Sequence, residues 1–358
     1  LNNFPPPIGF FHSIKEWEAA QGRTSSNIKE IYPETPVSYG LTRRPPCPPS
    51  WYPSEFAGGY FAVIPNGRIC GANGAIITPD NQLLWDVSFE GVHIAPETHS
   101  IFQEKTLPEV THIKDAVDLT HVYSRNYYHW MYEVIPRTDL LAQCGPPVEL
   151  YIVNTEQEKP YQNETLHQLG ISDDRLLKTH SGFHVQAEKL LLPAQPSFPT
   201  KWGYDYLRKV FISNHTQNLS SDKKRIFISR RWSRKITNEE QVMKVLTKYG
   251  FVKVDLESLS VAEQVQLFSG AEVVIAAHGA ALTNLTFCRP GTKVLEIFTP
   301  TYIIPHYWAI STLGHLDYDY FIGQSGKYVI RNGNRWTGDD DITINLSKFK
   351  ASLKKMRL

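Results

Sequence analysis

The sequence predicts an α/β fold in two domains, preceded by a proline-rich and β-rich N-terminal region. Three observations predict it. The chain has 358 residues, more than one hydrophobic core usually serves. From about residue 116 onward, short continuous apolar runs alternate with amphipathic segments, the pattern of buried parallel strands covered by helices on both faces. One such unit is complete: an apolar strand from Val273, a tight turn at His278-Gly279, a short helix over 280–287, a break at Pro290-Gly291 and a second apolar strand over 293–298.

In chain order, residues 1–60 are rich in proline, densest at Pro45-Pro46-Cys47-Pro48-Pro49, where irregular backbone is expected. Residues 59–87 carry short apolar runs cut by turns such as Pro65-Asn66-Gly67 and Pro79-Asp80-Asn81. These are hairpin signals and predict a small β-rich cap. Strands are then expected at 116–119, 149–153, 189–192, 225–229, 251–255, 272–277, 293–298 and 316–321. Helices are expected at 127–141, 161–169, 204–214, 238–249, 261–268 and 280–287. The prolines over 192–199 followed by Trp202-Gly203 mark the crossing between domains. The expected divisions are 1–115 for the N-terminal region, 116–200 and 201–330 for the two α/β domains, and 331–358 for a closing segment. That segment sets Leu346, Phe349, Leu353 and Met356 opposite Lys348, Lys354 and Lys355. A closing helix with one buried face accounts for it; a basic amphipathic helix also suits peripheral contact with an anionic membrane face.

Composition is that of an ordinary globular chain, 41% apolar and 20% charged with a net charge of +1. Such a balance gives no footprint for nucleic acid. The 8 Trp and 18 Tyr suit sugar stacking as well as aromatic cores. Cys47, Cys70, Cys144 and Cys288 form no C-x-x-C pair, so no structural zinc is expected, and a reducing cytoplasm fits them. No run reaches the roughly 18 apolar residues a membrane span needs. The first residues have neither an initiator Met nor the pattern of a signal peptide, so the expected location is cytoplasmic, and the chain reads as a piece of a longer protein. Sequons occur at Asn163, Asn214, Asn218, Asn284 and Asn345, meaningful only in a secretory compartment.

Three clusters carry the chemistry. The first is His278-Gly279-Ala280 with Thr283 and Asn284. A glycine at a helix mouth exposes backbone N–H groups and the positive end of the helix dipole, which suits phosphate. The second is Ser229-Arg230-Arg231, then Arg234-Lys235 and Thr237-Asn238, directly after an apolar strand. Arg pairs with phosphate through two parallel hydrogen bonds, and open α/β sheets hold ligands at the carboxyl ends of their strands. The third is Ser124-Arg125-Asn126, His129, Glu133 and Arg137. Arg125, His129, Glu133 and Arg137 recur every four residues, one stripe of a helix that is otherwise apolar. The plain reading is a salt-bridge ladder; the functional one is a cleft-facing stripe, where a His and a carboxylate are general-base material. G-x-x-x-x-G-K-[ST], G-x-G-x-x-G and G-x-S-x-G are all absent from the sequence, which disfavours P-loop enzymes, ordinary dinucleotide dehydrogenases and α/β-hydrolases. Asp317-Tyr318-Asp319 spells D-x-D, but a half-exposed strand explains it more simply.

Together the clusters resemble glycosyltransferase family 61, which includes bacterial proteins of capsular polysaccharide biosynthesis, plant xylosyl- and arabinosyltransferases and animal O-mannose N-acetylglucosaminyltransferases. The family's N-x-x-H-x-x-x-[DE] helix is matched by Asn126, His129 and Glu133; its I-S-R strand end by Ile228, Ser229 and Arg230, with Arg234 and Asn238 downstream. Its H-G-A-[GA]-L-T-N and P-G-x-x-x-x-E-[IF] motifs are matched by 278–284 and 290–297. Glu133 stands where many members have Asp, and Ala281 where Gly is commoner. The proline-rich start is most similar to cyanobacterial members.

The resemblance implies a GT-B architecture, two Rossmann-like domains facing across a cleft, and inverting transfer of a hexosyl or pentosyl group from a UDP-sugar to a glycan or other hydroxyl without a metal or cofactor. Ser229, Arg230, Arg234, His278, Gly279, Ala280, Thr283 and Asn284 would hold the donor, and Glu296 the ribose hydroxyls. Glu133 or His129 would be the base, with Asn126, Arg125 and Arg137 on the acceptor side. The rival readings are a sugar-nucleotide or glycan-binding module without turnover, and a metal-dependent transferase using Asp317 and Asp319.

Overall fold

The computed structural model describes residues 4–22, 27–38, 43–143, 148–155, 159–213, 224–326, 329–331 and 334–358; the side chains of 329–331 and 334–337 are not described. It is a mixed α/β fold with parallel sheets that separates into two compact units. One comprises Leu1–Thr35 and Ala57–Tyr206, the other Pro36–Phe56 and Leu207–Leu358.

In the first unit, Thr111–Asp118 lies between His184–Pro193 and Leu150–Val153, and Leu176–Lys178 completes a parallel set. The short strands expected over 59–87 are present, and they join the unit's main sheet. Gly59–Pro65 and Arg68–Cys70 both pair antiparallel with His184–Pro193 and extend the same ten-stranded sheet. The physical reason is the length of that strand: its ten residues outreach one partner, so two hairpin strands share its free edge. Gly9–Phe11, which the sequence reading missed, pairs with Gln82–Leu84.

The expected helix over 127–141 is broken. Tyr127–His129 begins it, capped by Asn126 Oδ1, which accepts the Tyr128 N–H at 2.9 Å. Trp130–Val134 then widens into a π turn, with the Ile135 N–H reaching the Trp130 carbonyl, and Arg137–Ala142 resumes as α-helix. Pro136 lacks a donor, and one extra residue in the turn re-aims everything after it; such turns favour functional sites.

The second unit holds a five-stranded, wholly parallel sheet. In chain order its strands are Lys224–Ile228, Phe251–Val254, Ala271–Ala277, Lys293–Phe298 and Asp317–Ile322; across the sheet the order is second, first, third, fourth, fifth. The first and third strands are therefore neighbours whose following connections leave in opposite directions. That is a topological switch point, where open α/β sheets bind ligands. The helix Glu239–Leu246 buries Val242, Val245 and Leu246 in the sheet's core, and the closing helix is Leu346–Lys355. Phe349 and Leu353 of that helix are fully buried against Val242, Leu246 and Phe251, each contributing roughly 1.5–3 kcal/mol. Its apolar face is thus spent on the unit's own core, and its lysines remain outside. Among the described residues no helix is long and apolar enough to cross a membrane. Cys47, Cys70 and Cys288 are free thiols; Cys144, Asn214 and Asn218 lie outside the described residues.

Candidate active site

In the second unit the two cationic and glycine-bearing loops meet at the switch point. Ser229 and Arg230 follow the first strand, His278 and Gly279 the third. Arg230 donates from Nε to the Ser233 carbonyl at 2.7 Å and from Nη2 to Ser233 Oγ at 3.3 Å. Its remaining nitrogen, Nη1, lies against Gly279, where an added Cβ would sit 1.6 Å away. The glycine is therefore required by the arginine's approach as much as by the turn. Burial, and then the charge of Arg234, lower the Arg230 pKa to about 10. Among the described residues neither arginine forms an ion pair with a carboxylate; Asp339 and Glu257 act on Arg230 only at longer range and do not offset burial and the charge of Arg234.

A C-terminal segment braces this loop. Arg234 has a left-handed backbone (φ 53°), roughly 1–3 kcal/mol of local strain. Its Nη1 donates to the Gly338 carbonyl at 3.1 Å. The Lys235 N–H donates to Asp341 Oδ1 at 2.9 Å, and Asn238 exchanges hydrogen bonds with both backbone groups of Ile344 at 2.9 and 3.0 Å. Ser229 Oγ donates to Glu239. Ser229 and Asn238 thus shape the loop rather than leave their polar groups open.

His278 is buried and bonded through Nδ1 to Glu296 Oε1, while the Tyr318 hydroxyl donates to Glu296 Oε2 at 2.5 Å. The ring stacks on Phe298, centroids 5.2 Å apart, and abuts Tyr302 and Tyr307. Burial pushes the Glu296 carboxyl up to about 8. Burial, followed by the charges of Arg234, His306 and Arg230, pushes His278 well below its usual range. At neutral pH both are uncharged. With the proton on Glu296, His278 Nδ1 accepts it and Nε2 keeps the ring hydrogen, a donor suited to an anion. Glu296 was expected to meet ribose hydroxyls; it is fully buried, and both of its oxygens are committed inside the sheet.

Ala280–Phe287 is helical over the expected range, but as a 3-10 helix. Thr283 and Asn284 are buried; Asn284 Nδ2 donates to Gln264 Oε1 at 2.8 Å and to the Ala281 carbonyl. Asn284 ties this helix to Val261–Ser269 and, being inaccessible, is no glycan acceptor. The D-x-D pair has no free clamp either, since Asp319 accepts from Lys355 at 2.8 Å and Arg43 at 3.1 Å.

In the first unit, Glu133 Oε2 meets two imidazoles, His129 Nδ1 at 2.5 Å and His121 Nε2 at 2.8 Å. His121 was absent from the sequence expectations. Its only signal was a His just beyond the end of an apolar strand, and no spacing links it to the helix. Asn154, beyond the adjacent strand Leu150–Val153, holds its backbone on both sides at 3.0 and 2.7 Å. His121 Nδ1 accepts the Tyr123 N–H at 3.1 Å, so its hydrogen resides on Nε2 and is donated to Glu133. His129 likewise donates from Nδ1, which leaves its Nε2 lone pair bare on a partly exposed ring. Burial alone would raise the Glu133 pKa, but the two histidines outweigh it and hold the carboxylate at about 2.

His121, His129 and Glu133 offer three ligand atoms within 4.8 Å of one another. Ligands around a tetrahedral zinc at about 2.0–2.1 Å lie roughly 3.3 Å apart, whereas these separations are hydrogen-bond lengths. With His121 Nε2 protonated, the three side chains form a hydrogen-bonded triad centred on Glu133 in this structure.

Arg137 does not join the stripe expected for it. The π turn carries it into the core, where it is fully buried, paired with Asp118 Oδ2 at 2.8 Å and donating to the carbonyls of Asp118, Thr120 and Pro193. Arg125 is exposed, and its carbonyl accepts the Tyr161 hydroxyl at 2.6 Å.

The triad helix, the arginine loop and the glycine loop fall inside one stretch with a known counterpart. Residues 127–295 match the family model Glycosyltransferase 61. The match takes in His129, Glu133, Arg230, Arg234 and Gly279, and leaves His121 and Glu296 just outside. The chain is similar to Beta-1,2-xylosyltransferase RCN11 of Oryza sativa subsp. japonica, 43% identical over 70 residues, 20% of this chain and 13% of that protein. It is similar to Beta-1,2-xylosyltransferase of Arabidopsis thaliana, 36% identical over 75 residues, 20% of this chain and 14% of that protein. A third relative is Protein O-linked-mannose beta-1,4-N-acetylglucosaminyltransferase 2 of Xenopus tropicalis, 32% identical over 107 residues, 28% of this chain and 18% of that protein. These alignments span less than a fifth of each relative, while the Glycosyltransferase 61 match covers just under half of this chain and takes in clusters of both units.

Proposed function

We propose that this protein is an inverting, metal-independent glycosyltransferase of GT-B type that moves a sugar from a UDP-sugar to a hydroxyl of a glycan acceptor. The observation that carries the reading is the pair Arg230 and Arg234, two guanidinium groups that form no ion pair with a carboxylate among the described residues, with Arg230 against Gly279 at the switch point of a parallel sheet. A departing nucleoside diphosphate develops negative charge. Fixed cations and backbone N–H groups of Gly279 and Ala280 stabilise it as a divalent cation otherwise would. His278, neutral and oriented by Glu296, adds a donor without adding repulsion to the arginines.

His129 is the base in this reading. A carboxylate held at about 2 is too weak to take a hydroxyl proton efficiently, whereas the bare Nε2 of His129 is suited to it. Glu133 fixes the imidazole and stabilises the imidazolium that forms, and His121 holds Glu133. Inversion follows from a single in-line attack by the activated hydroxyl on the anomeric carbon, the C–O bond to the diphosphate breaking as the new bond forms.

UDP release from a panel of UDP-sugars, followed with and without EDTA, tests the proposal. Release with at least one donor, undiminished by EDTA, is expected. UDP binding with no turnover of any donor would favour a binding module, and complete loss with EDTA would overturn the metal-free mechanism.

A further inference from the structure

The imidazole of His129 stands at the inner end of a row of aromatic rings. Its centroid is 4.9 Å from that of Tyr123, the planes tilted by 40°. Tyr123 is 6.3 Å from Phe89, and Phe89 is 5.7 Å from Trp85, both pairs at 70°. Tyr123, Phe89 and Trp85 are all half-buried. The row is braced from beneath. Trp85 stands edge-on to His99, a buried histidine whose Nε2 bonds the Ser88 carbonyl at 3.0 Å and whose Nδ1 accepts the Ile101 N–H at 3.1 Å. Gly91 lets the next loop pass close to Tyr123: its φ is +150°, and a Cβ there would lie 3.3 Å from the Tyr123 hydroxyl. That loop carries Val92 at 73% exposure as an apolar rim. Glu90, beside Phe89 in the chain, is fixed at both oxygens by Ser100, its N–H donating to Oε2 at 2.8 Å and its hydroxyl to Oε1, and each oxygen keeps a second lone pair.

We propose that Tyr123, Phe89 and Trp85 form the acceptor subsite, and that its occupant is a glycan whose reacting sugar sets one hydroxyl at His129 Nε2 beside Tyr123 and whose neighbouring sugar lies with its C–H face against Phe89 or Trp85. The inference rests on the reading of His129 as the base. A base takes a proton only from a group about 2.6–3.2 Å away, so whatever carries the reacting hydroxyl must lie beside this imidazole. Within this unit the imidazole also meets His121 and Tyr128, both buried, so Tyr123 and the row behind it are the partly exposed rings beside it. A pyranose offers one face of C–H bonds, polarised positive by the ring oxygens, and a rim of hydroxyls. The electron-rich face of an aromatic ring matches the first, and the Glu90 carboxylate matches the second. A few fixed polar groups among aromatic walls is the usual make-up of a small-molecule site.

Saturation-transfer NMR on the full chain with the methyl glycosides of glucose, galactose, mannose and xylose tests this. At least one glycoside is expected to receive saturation, strongest on the protons of one C–H face. Phe89→Leu, which keeps the apolar volume and removes the ring face, is expected to weaken that glycoside at least about tenfold, whereas Phe89→Tyr retains it; Trp85→Leu should act in the same direction. UDP titrated calorimetrically into the same proteins serves as the check on folding and on the donor site, and its affinity is expected to be equal in all of them. No saturation of any glycoside, or equal binding by wild type and Phe89→Leu, would overturn the acceptor subsite. If the glycosides behave as expected while UDP binds none of the proteins, the donor reading fails and the sugar subsite stands.

Discussion

The guanidinium of Arg230 occupies the space that a side chain at residue 279 would need, its Nη1 lying 1.6 Å from where a Cβ on Gly279 would be. Two loops far apart in the chain are therefore mutually dependent. Gly279→Ala is expected to displace Arg230 and weaken UDP binding by about tenfold or more, approaching the loss in Arg230→Ala, since a charge-assisted hydrogen bond contributes roughly 1.5–3 kcal/mol. In the double variant the two losses should fall well short of adding. Calorimetric titration of all three variants with UDP checks this, and full additivity would refute the coupling.

Glu133 and its two histidines call for a different signature. Glu133→Gln is expected to lower the transfer rate by about 10²–10⁴-fold while UDP affinity stays within about twofold of wild type, because no donor contact is removed. His121→Ala should reduce the rate less, through a misplaced Glu133. A matching fall in UDP affinity for Glu133→Gln would contradict the division between residues that hold the donor and a carboxylate that only positions the base.

Arg137 and Asp118 form a buried pair with both side chains at 0% exposure. Arg137→Met leaves Asp118 charged and unpaired in the core, and breaking such a pair costs about 3–5 kcal/mol. Urea unfolding should show that loss, and Arg137→Met/Asp118→Asn should recover part of it. An unchanged midpoint in the single variant would mean that water reaches Asp118.

The pH dependence of stability follows from Glu296 and His278. A carboxyl whose folded pKa is raised from 4.5 to about 8 holds a proton that the unfolded chain has released, so stability falls as pH rises between those values. His278, lowered well below 6.5, works the other way below about pH 6.5, where only the unfolded chain is protonated. The two slopes oppose each other up to about pH 6.5, and from there to about pH 8 the Glu296 slope stands alone. Melting temperatures for Glu296→Gln should be flatter than wild type over that upper window. Parallel curves would show that Glu296 is ionised throughout.

At low pH, Glu133 adds a limb of its own. Its folded pKa of about 2 lies below the ordinary 4.5, so its support for the fold is complete above about pH 4.5 and disappears as pH falls toward 2. Glu133→Gln should flatten the acid limb of the unfolding curve, which acid titration followed by circular dichroism would register.

The apolar runs and turn residues by themselves determined the α/β alternation, the second unit's strands nearly to the residue, and the identity of the arginine, glycine and His129/Glu133 clusters, because burial and turn geometry act on neighbours in the chain. Sequence periodicity put Arg137 on the wrong surface, because a regular helix was assumed where Trp130–Val134 forms a π turn. The family resemblance set Glu296 against a ligand, because nothing local reveals that Tyr318 and His278 already hold both of its oxygens. Only the tertiary structure brought His121 to Glu133 and Arg230 to Gly279. The strand order that makes neighbours of the strands ending at Ile228 and Ala277 is a long-range choice, and no spacing along the chain encodes it.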